Sequence, residues 1–151
     1  MQDIIDVGIK YTEKVKQLRD QGIDFELKKA NPTDSGFDLQ STVEVTIKPN
    51  ERIAIPSGIH ICLPEGWEAQ VRGRSGLSLK NGVTVGNPPG TIDHLYRKEI
   101  GIILINHSDV PFDIKIGMKV AQLCFNRVPI IHLKEFDFDD TGRGGFGSTG
   151  I

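Results

Sequence analysis

Between Val43 and Val71 the chain switches every few residues between β-branched runs and turn residues, and this rhythm restricts the fold more than any other feature. Val43, Val45 and Ile47 alternate with polar residues, and Ile53 with Ile55, Ile59 with Ile61, and Trp67 with Ala69 and Val71 repeat the period of two. Such a period sends alternate side chains to opposite faces of a strand, so each run buries one face and wets the other. Lys48-Pro49-Asn50, Pro56-Ser57-Gly58 and Pro64-Glu65-Gly66 fall between the runs and reverse the chain. Many short strands at this spacing predict an all-β domain, a jelly-roll-like sandwich or barrel with little helix. Ile100 to Ile105 and Val120 to Phe125, the most apolar runs, are assigned to central strands.

Ile4 to Lys10 suits a strand, and Tyr11, Val15 and Leu18 recur at helical spacing before Gly22, which predicts a short helix and its stop. One helical turn is expected after Ser75. Val83-Thr84-Val85 and Thr91-Ile92 flank Gly86-Asn87-Pro88-Pro89-Gly90, which reads as a hairpin with a rigid tip whose backbone could meet the edge of a flat ring. From Asp137 onward glycine dominates and little can be buried. The expected organisation is a β-rich domain over residues 1–136, with its strand and helix in 1–22, and a flexible arm over 137–151.

Composition excludes several classes. A chain of 151 residues with 38% hydrophobic and 25% charged residues fits one domain with its own core, and a net charge of -2 supplies no field for nucleic acid. Cys62 and Cys124 each lie in an apolar run and are expected to be buried thiols. His60, His94, His107 and His132 lack zinc-like spacing. The sequence begins Met-Gln-Asp with no basic-then-apolar leader, and no run reaches membrane-spanning length, so the expectation is a cytoplasmic protein with no membrane partner.

Five polar, glycine-bearing clusters separate the β runs: Ser35-Gly36-Phe37-Asp38-Leu39, Gly73-Arg74-Ser75-Gly76-Leu77, Gly90-Thr91-Ile92-Asp93-His94-Leu95-Tyr96-Arg97, Gly117-Met118-Lys119-Val120-Ala121-Gln122 and Gly142-Arg143-Gly144-Gly145-Phe146-Gly147-Ser148-Thr149-Gly150. Asp93 either bonds the amides of its own turn or acts as a base. Arg74-Ser75-Gly76 sets a guanidinium, a hydroxyl and an accessible amide side by side, which suits a phosphate chain, although alone it would be an ordinary polar turn. In the last cluster a guanidinium, an aromatic face and two hydroxyls sit among glycines that free backbone amides, the parts needed to wrap a nucleotide.

In this order the five clusters resemble the motifs of the trimeric dUTP pyrophosphatases, the dUTPase family, from about Ser35 to the end of the chain. The resemblance implies a dUTPase-like jelly roll and a homotrimer whose sites are shared between subunits. It further implies a Mg2+-dependent dUTP diphosphatase in which water attacks the α-phosphorus and dUMP and pyrophosphate are released. That activity limits uracil incorporation into DNA and supplies dUMP for thymidylate synthesis. By the same resemblance Asp93 is the catalytic base and Tyr96 lies beneath the deoxyribose. Asn87, Ile92 and their backbone meet uracil, and Arg74, Ser75, Gly76 and Gln122 contact phosphates. Phe146 stacks on the base while Arg143, Gly147, Ser148 and Thr149 close over the outer phosphates. Magnesium is held through water and the substrate phosphates, with Asp38 nearby. Ser35, Lys98 and Lys119 depart from the family's common alanine, glycine and arginine. The alternatives are a nucleotide-sensing regulatory protein of this fold and a relative of dCTP deaminase. The compartment implied is the cytoplasm, that of a host if the source is viral.

Overall fold

The computed structural model describes residues 4–145. Eleven strands and two short helices are present among them: β1 (Gly8–Tyr11), α1 (Glu13–Asp20), β2 (Gly36–Gln40), β3 (Val45–Ile47), β4 (Arg52–Pro56), β5 (Ile59–Cys62), β6 (Trp67–Arg72), α2 (Ser75–Asn81), β7 (Val83–Val85), β8 (Gly90–Ile92), β9 (Gly101–Asn106), β10 (Phe112–Ile114) and β11 (Lys119–Arg127). Every pairing is antiparallel. One sheet runs β2-β11-β6-β8, a second β4-β9-β7, and two ribbons, β10-β3 and β1-β5, complete the body. The predicted alternation is realised: Leu39, Ala69, Val71, Ala121 and Leu123 from the larger sheet meet Ile55, Val83, Val85, Ile102 and Leu104 from the smaller one in a single core. The jelly-roll-like, mostly β architecture agrees with the sequence reading. No helix among the described residues is long and apolar enough to cross a membrane.

α1 is held by its apolar stripe. Val15 and Leu18 are buried with Phe25, and Tyr11, Ile23 and Ile116 close around them in a second, smaller cluster. The helix can approach because position 58 lacks a side chain: a Cβ on Gly58, where φ is +72°, would lie 2.2 Å from a Val15 methyl. Arg19 fastens the same corner, stacking 4.0 Å over the Tyr11 ring and donating from Nε to the Phe25 carbonyl at 2.8 Å. Beyond it, the exposed Lys28 donates to Asp24 at 2.8 Å, a hydrogen bond that holds the Asp24 carboxyl below its usual range.

β11 carries an irregularity that matters for the site. Its register with β2 pairs Gln122 with Asp38, Ala121 with Leu39 and Lys119 with Gln40, so Val120 is an extra, bulged residue. In an unbulged strand Lys119 and Gln122, three residues apart, would point to opposite faces; because the ladder skips Val120 they share the face that carries Asp38. Val120 and Ala121 both bury as a result.

Three expectations are corrected. β7 and β8 do not form a hairpin: β7 pairs with β9, β8 with β6, and Gly86–Pro89 bridges two sheets, with a cis bond between Pro88 and Pro89. Cys62 is exposed, because β5 turns Ile59 and Ile61 inward and sends His60 and Cys62 to the other face; Cys124 is buried as expected. The predicted first strand, Ile4 to Lys10, is found at Gly8–Tyr11. After Arg127 no regular element follows within the described residues, and the segment presents Ile130, Leu133 and Phe138 at 81, 94 and 81% exposure.

Candidate functional site: a polar cleft and a separate carboxylate

A cleft of about 600 Å³ opens at one end of the four-stranded sheet, lined by Asp38, Arg74, Ser75, Gly76 and Gln122 together with the 34–36 turn and Lys80 and Asn81 of α2. Three of the five clusters meet there. The register explains how: Gln122 on the central strand is flanked by Asp38 of β2 and Arg72 of β6, and the chain then runs from β6 through Gly73 and Arg74 into α2. Two glycines allow the close approach. A Cβ on Gly36 would lie 2.3 Å from the Gln122 side-chain oxygen, and one on Gly73 would lie 2.5 Å from the Thr84 hydroxyl. The Gln122 amide crosses the bare Gly36 backbone and donates from Nε2 to the Gly73 carbonyl at 2.9 Å. Its orientation is therefore fixed by the protein.

The charges in the cleft are arranged around Asp38, whose side chain is only 14% exposed. Lys119 Nζ sits 2.7 Å from one of its oxygens, and Arg74 Nε stands at 3.8 Å from the other. Arg74 is anchored elsewhere, donating from Nη1 to the backbone carbonyl of Lys119 at 2.8 Å. Guanidinium N–H groups remain to meet an anion.

Asp93 is not in this cleft. It follows Ile92, which pairs with Ala69 near the start of β6, whereas Arg74 lies beyond the end of β6. At about 3.3 Å per residue that strand separates the two by roughly 15–20 Å. Asp93 is exposed and lines a smaller hollow of about 200 Å³ with Trp67, His94, Val128 and Ile130. Its turn is closed by its backbone, since the Tyr96 amide donates to the Asp93 carbonyl at 3.0 Å. Tyr96 is 38% exposed, and its hydroxyl donates to the Glu99 carbonyl at 3.0 Å, which orients the ring. Asn87 is exposed beside Gly90, whereas the Ile92 side chain packs in the core and leaves its backbone for recognition. Arg143 is exposed; Phe146, Gly147, Ser148 and Thr149 lie outside the described residues.

A family model described as dUTPase matches residues 26–150. The chain belongs to the dUTPase family. It is 48% identical over 145 residues to the deoxyuridine 5'-triphosphate nucleotidohydrolase of Clostridium tetani, covering 93% of this chain and 98% of that one. A protein of the same name from Clostridioides difficile is 48% identical over 144 residues, covering 93% and 99%. Among solved structures, the dUTPase of Staphylococcus bacteriophage 80alpha with dUPNHPP superposes with a TM-score of 0.82 at 22% identity, covering 97% of this chain and 99% of that one. A mutant dUTPase from phage phi11 of S. aureus, studied for the coordination of a structural Mg(II) ion, gives 0.75 at 21% identity over 90% and 99%.

Four of the five clusters thus divide into two groups on one chain, the first, second and fourth at the cleft and the third at the far end of β6, while most of the fifth lies outside the described residues. Sequence reasoning did not anticipate how Lys119 enters the site. Its side chain and its carbonyl both contribute, and the only signal for the former is a one-residue bulge with no local sequence mark.

Proposed function

We propose how this member of the dUTPase family hydrolyses dUTP to dUMP and pyrophosphate. The carrying observation is the cleft in which Asp38, Arg74, Ser75, Gly76 and Gln122 converge from three separate elements. Cationic, hydroxyl and fixed amide donors of this kind suit a phosphate chain. The substrate's uracil is read by Asn87 and the backbone of residues 86–92, and Tyr96 lies against the deoxyribose. A water molecule oriented by Asp93 attacks the α-phosphorus. Its proton passes to the carboxylate, the new P–O bond forms as the bond to the bridging oxygen breaks, and pyrophosphate leaves on Arg74, Ser75 and Gln122. The arm carrying Arg143, Phe146, Gly147, Ser148 and Thr149 closes over base and phosphates and excludes water from the reacting groups.

Sharing of sites within a homotrimer follows from the same reading, supported by the distance that β6 keeps between Asp93 and Arg74. One subunit then supplies Asp93 and Tyr96, a second the phosphate cleft, and a third the arm. The donor set fits a magnesium ion carried on substrate phosphates and not one caged by protein: no group of three or more His, Cys, Asp or Glu among the described residues could hold a metal, and Asp38 is already paired with Lys119. When bound, that ion neutralises phosphate charge. Asp38 is the cleft carboxylate that would hold its waters. A cytoplasmic setting accords with this soluble-nucleotide chemistry.

Pyrophosphate release across dUTP, dTTP, dCTP and UTP tests the reading. Turnover of dUTP should exceed the others by orders of magnitude, because a site with hydrogen-bonding groups set for one base edge and one sugar leaves them unpaired with the wrong ligand. Ammonia release from dCTP, the mark of a deaminase, should be absent. Tyr96→Ala should narrow the preference for dUTP over UTP more than it slows dUTP turnover, and an unchanged ratio would remove the ring from sugar selection.

A further inference from the structure

We propose that Lys119 is a positioning residue which, by occupying Asp38, keeps the Arg74 guanidinium available to the substrate's phosphate chain. The inference rests on the reading of Arg74 as a phosphate ligand and adds a residue that acts through it. Asp38 is a mostly buried carboxylate with two cations in reach, and the geometry ranks them: Lys119 Nζ at 2.7 Å makes a charge-assisted hydrogen bond, while Arg74 Nε at 3.8 Å does not. Arg74 is instead held by one Nη1 donation to the Lys119 carbonyl at 2.8 Å. One residue therefore restrains Arg74 in two ways, by accepting from it through the backbone and by satisfying the carboxylate that would otherwise draw it away.

Without the Lys119 ammonium, a carboxylate with 14% exposure would keep Arg74 as its one cation within 4 Å among the described residues. A guanidinium matches a carboxylate with a planar two-point fork, and a shift of about 1 Å is enough to form it. That fork would use Nε and one terminal nitrogen, donors then lost to phosphate oxygens. A lysine suffices at position 119 because a single point charge at short range satisfies Asp38, and the bulge at Val120 delivers it to the correct face.

The experiment is a double-mutant cycle on the full chain, read by inhibition with inorganic pyrophosphate and by KM and kcat for dUTP. Lys119→Met should weaken pyrophosphate inhibition and raise KM by about tenfold, the scale of one charge-assisted hydrogen bond, with kcat at saturation far less affected. Lys119→Arg should stay near the parent. In an Asp38→Asn background the Lys119→Met change should have no further effect on pyrophosphate inhibition, because the competing carboxylate is gone. Melting curves and oligomer size check that each variant is folded. If Lys119→Met itself fails to fold, Lys119→Gln, which keeps a polar side chain without the charge, takes its place in both arms of the cycle. An unchanged pyrophosphate constant in Lys119→Met overturns the proposal, and so does an equal loss with and without Asp38, which would show that the ammonium acts directly. Arg74→Ala separates the two levels: if it leaves pyrophosphate inhibition intact, the phosphate-cleft reading itself fails.

Discussion

Asp93→Asn is expected to bind dUTP normally and to hydrolyse it about 10²–10⁴-fold more slowly, the usual loss when a general base is removed. The structure makes this a clean substitution. The turn at residues 93–96 is closed by the Asp93 backbone carbonyl, and the carboxylate is exposed. An asparagine preserves size and the turn but cannot accept a proton. Melting temperature should therefore be unchanged, nucleotide affinity measured by calorimetry should be close to that of the parent, and only kcat should collapse. Turnover within a few-fold of the parent would return Asp93 to a purely local role.

A loss of comparable size should be reversible by mixing. Asp93→Asn chains and chains truncated before Gly142 should each be nearly inactive, the second because Arg143 and the residues beyond it are gone. Co-refolded in equal amounts, they should recover about a quarter of parental activity if each site draws Asp93 and the arm from different subunits, since the two intact contributions then meet by chance in one site in four. Blending the preformed proteins should give less, because a large obligate interface exchanges slowly. Background activity after co-assembly has been verified by size would mean that Asp93 and the arm serving it come from the same chain.

Much of the fold was legible because strand alternation is a local property. Ile53 with Ile55, Ile59 with Ile61 and Trp67 with Val71 all lie in the strands that their spacing predicts. What was not legible is which strand pairs with which. The prolines and glycines around Asn87 looked like a hairpin tip, yet β7 pairs with β9 and β8 with β6, partners distant in sequence that no local pattern marks. Cys62 was misread for a related reason: Ile61 and Leu63 are apolar, but strand parity decides the face, and parity sends the thiol outward. The candidate site shows the same split. Asp38, Arg74 and Gln122 could be nominated from their motifs, whereas the Lys119–Asp38 pair and the passage of the Gln122 amide over Gly36 depend on register.

The extra residue at Val120 makes part of the site's charge pattern a matter of pairing register and not of residue identity. Val120 contributes only a core methyl pair, so substitution by another aliphatic residue leaves Lys119 where it is. Pairing the strand without a bulge, with every side chain retained, would bring Val120 opposite Gln40 and turn Lys119 to the other face. The ammonium would then be directed toward the hydrophobic interior, and Asp38 would lose its partner, although a composition-based comparison would find no charge altered. A scan of single substitutions would pass over this position as silent, although the lysine reaches the phosphate cleft only because the ladder skips it.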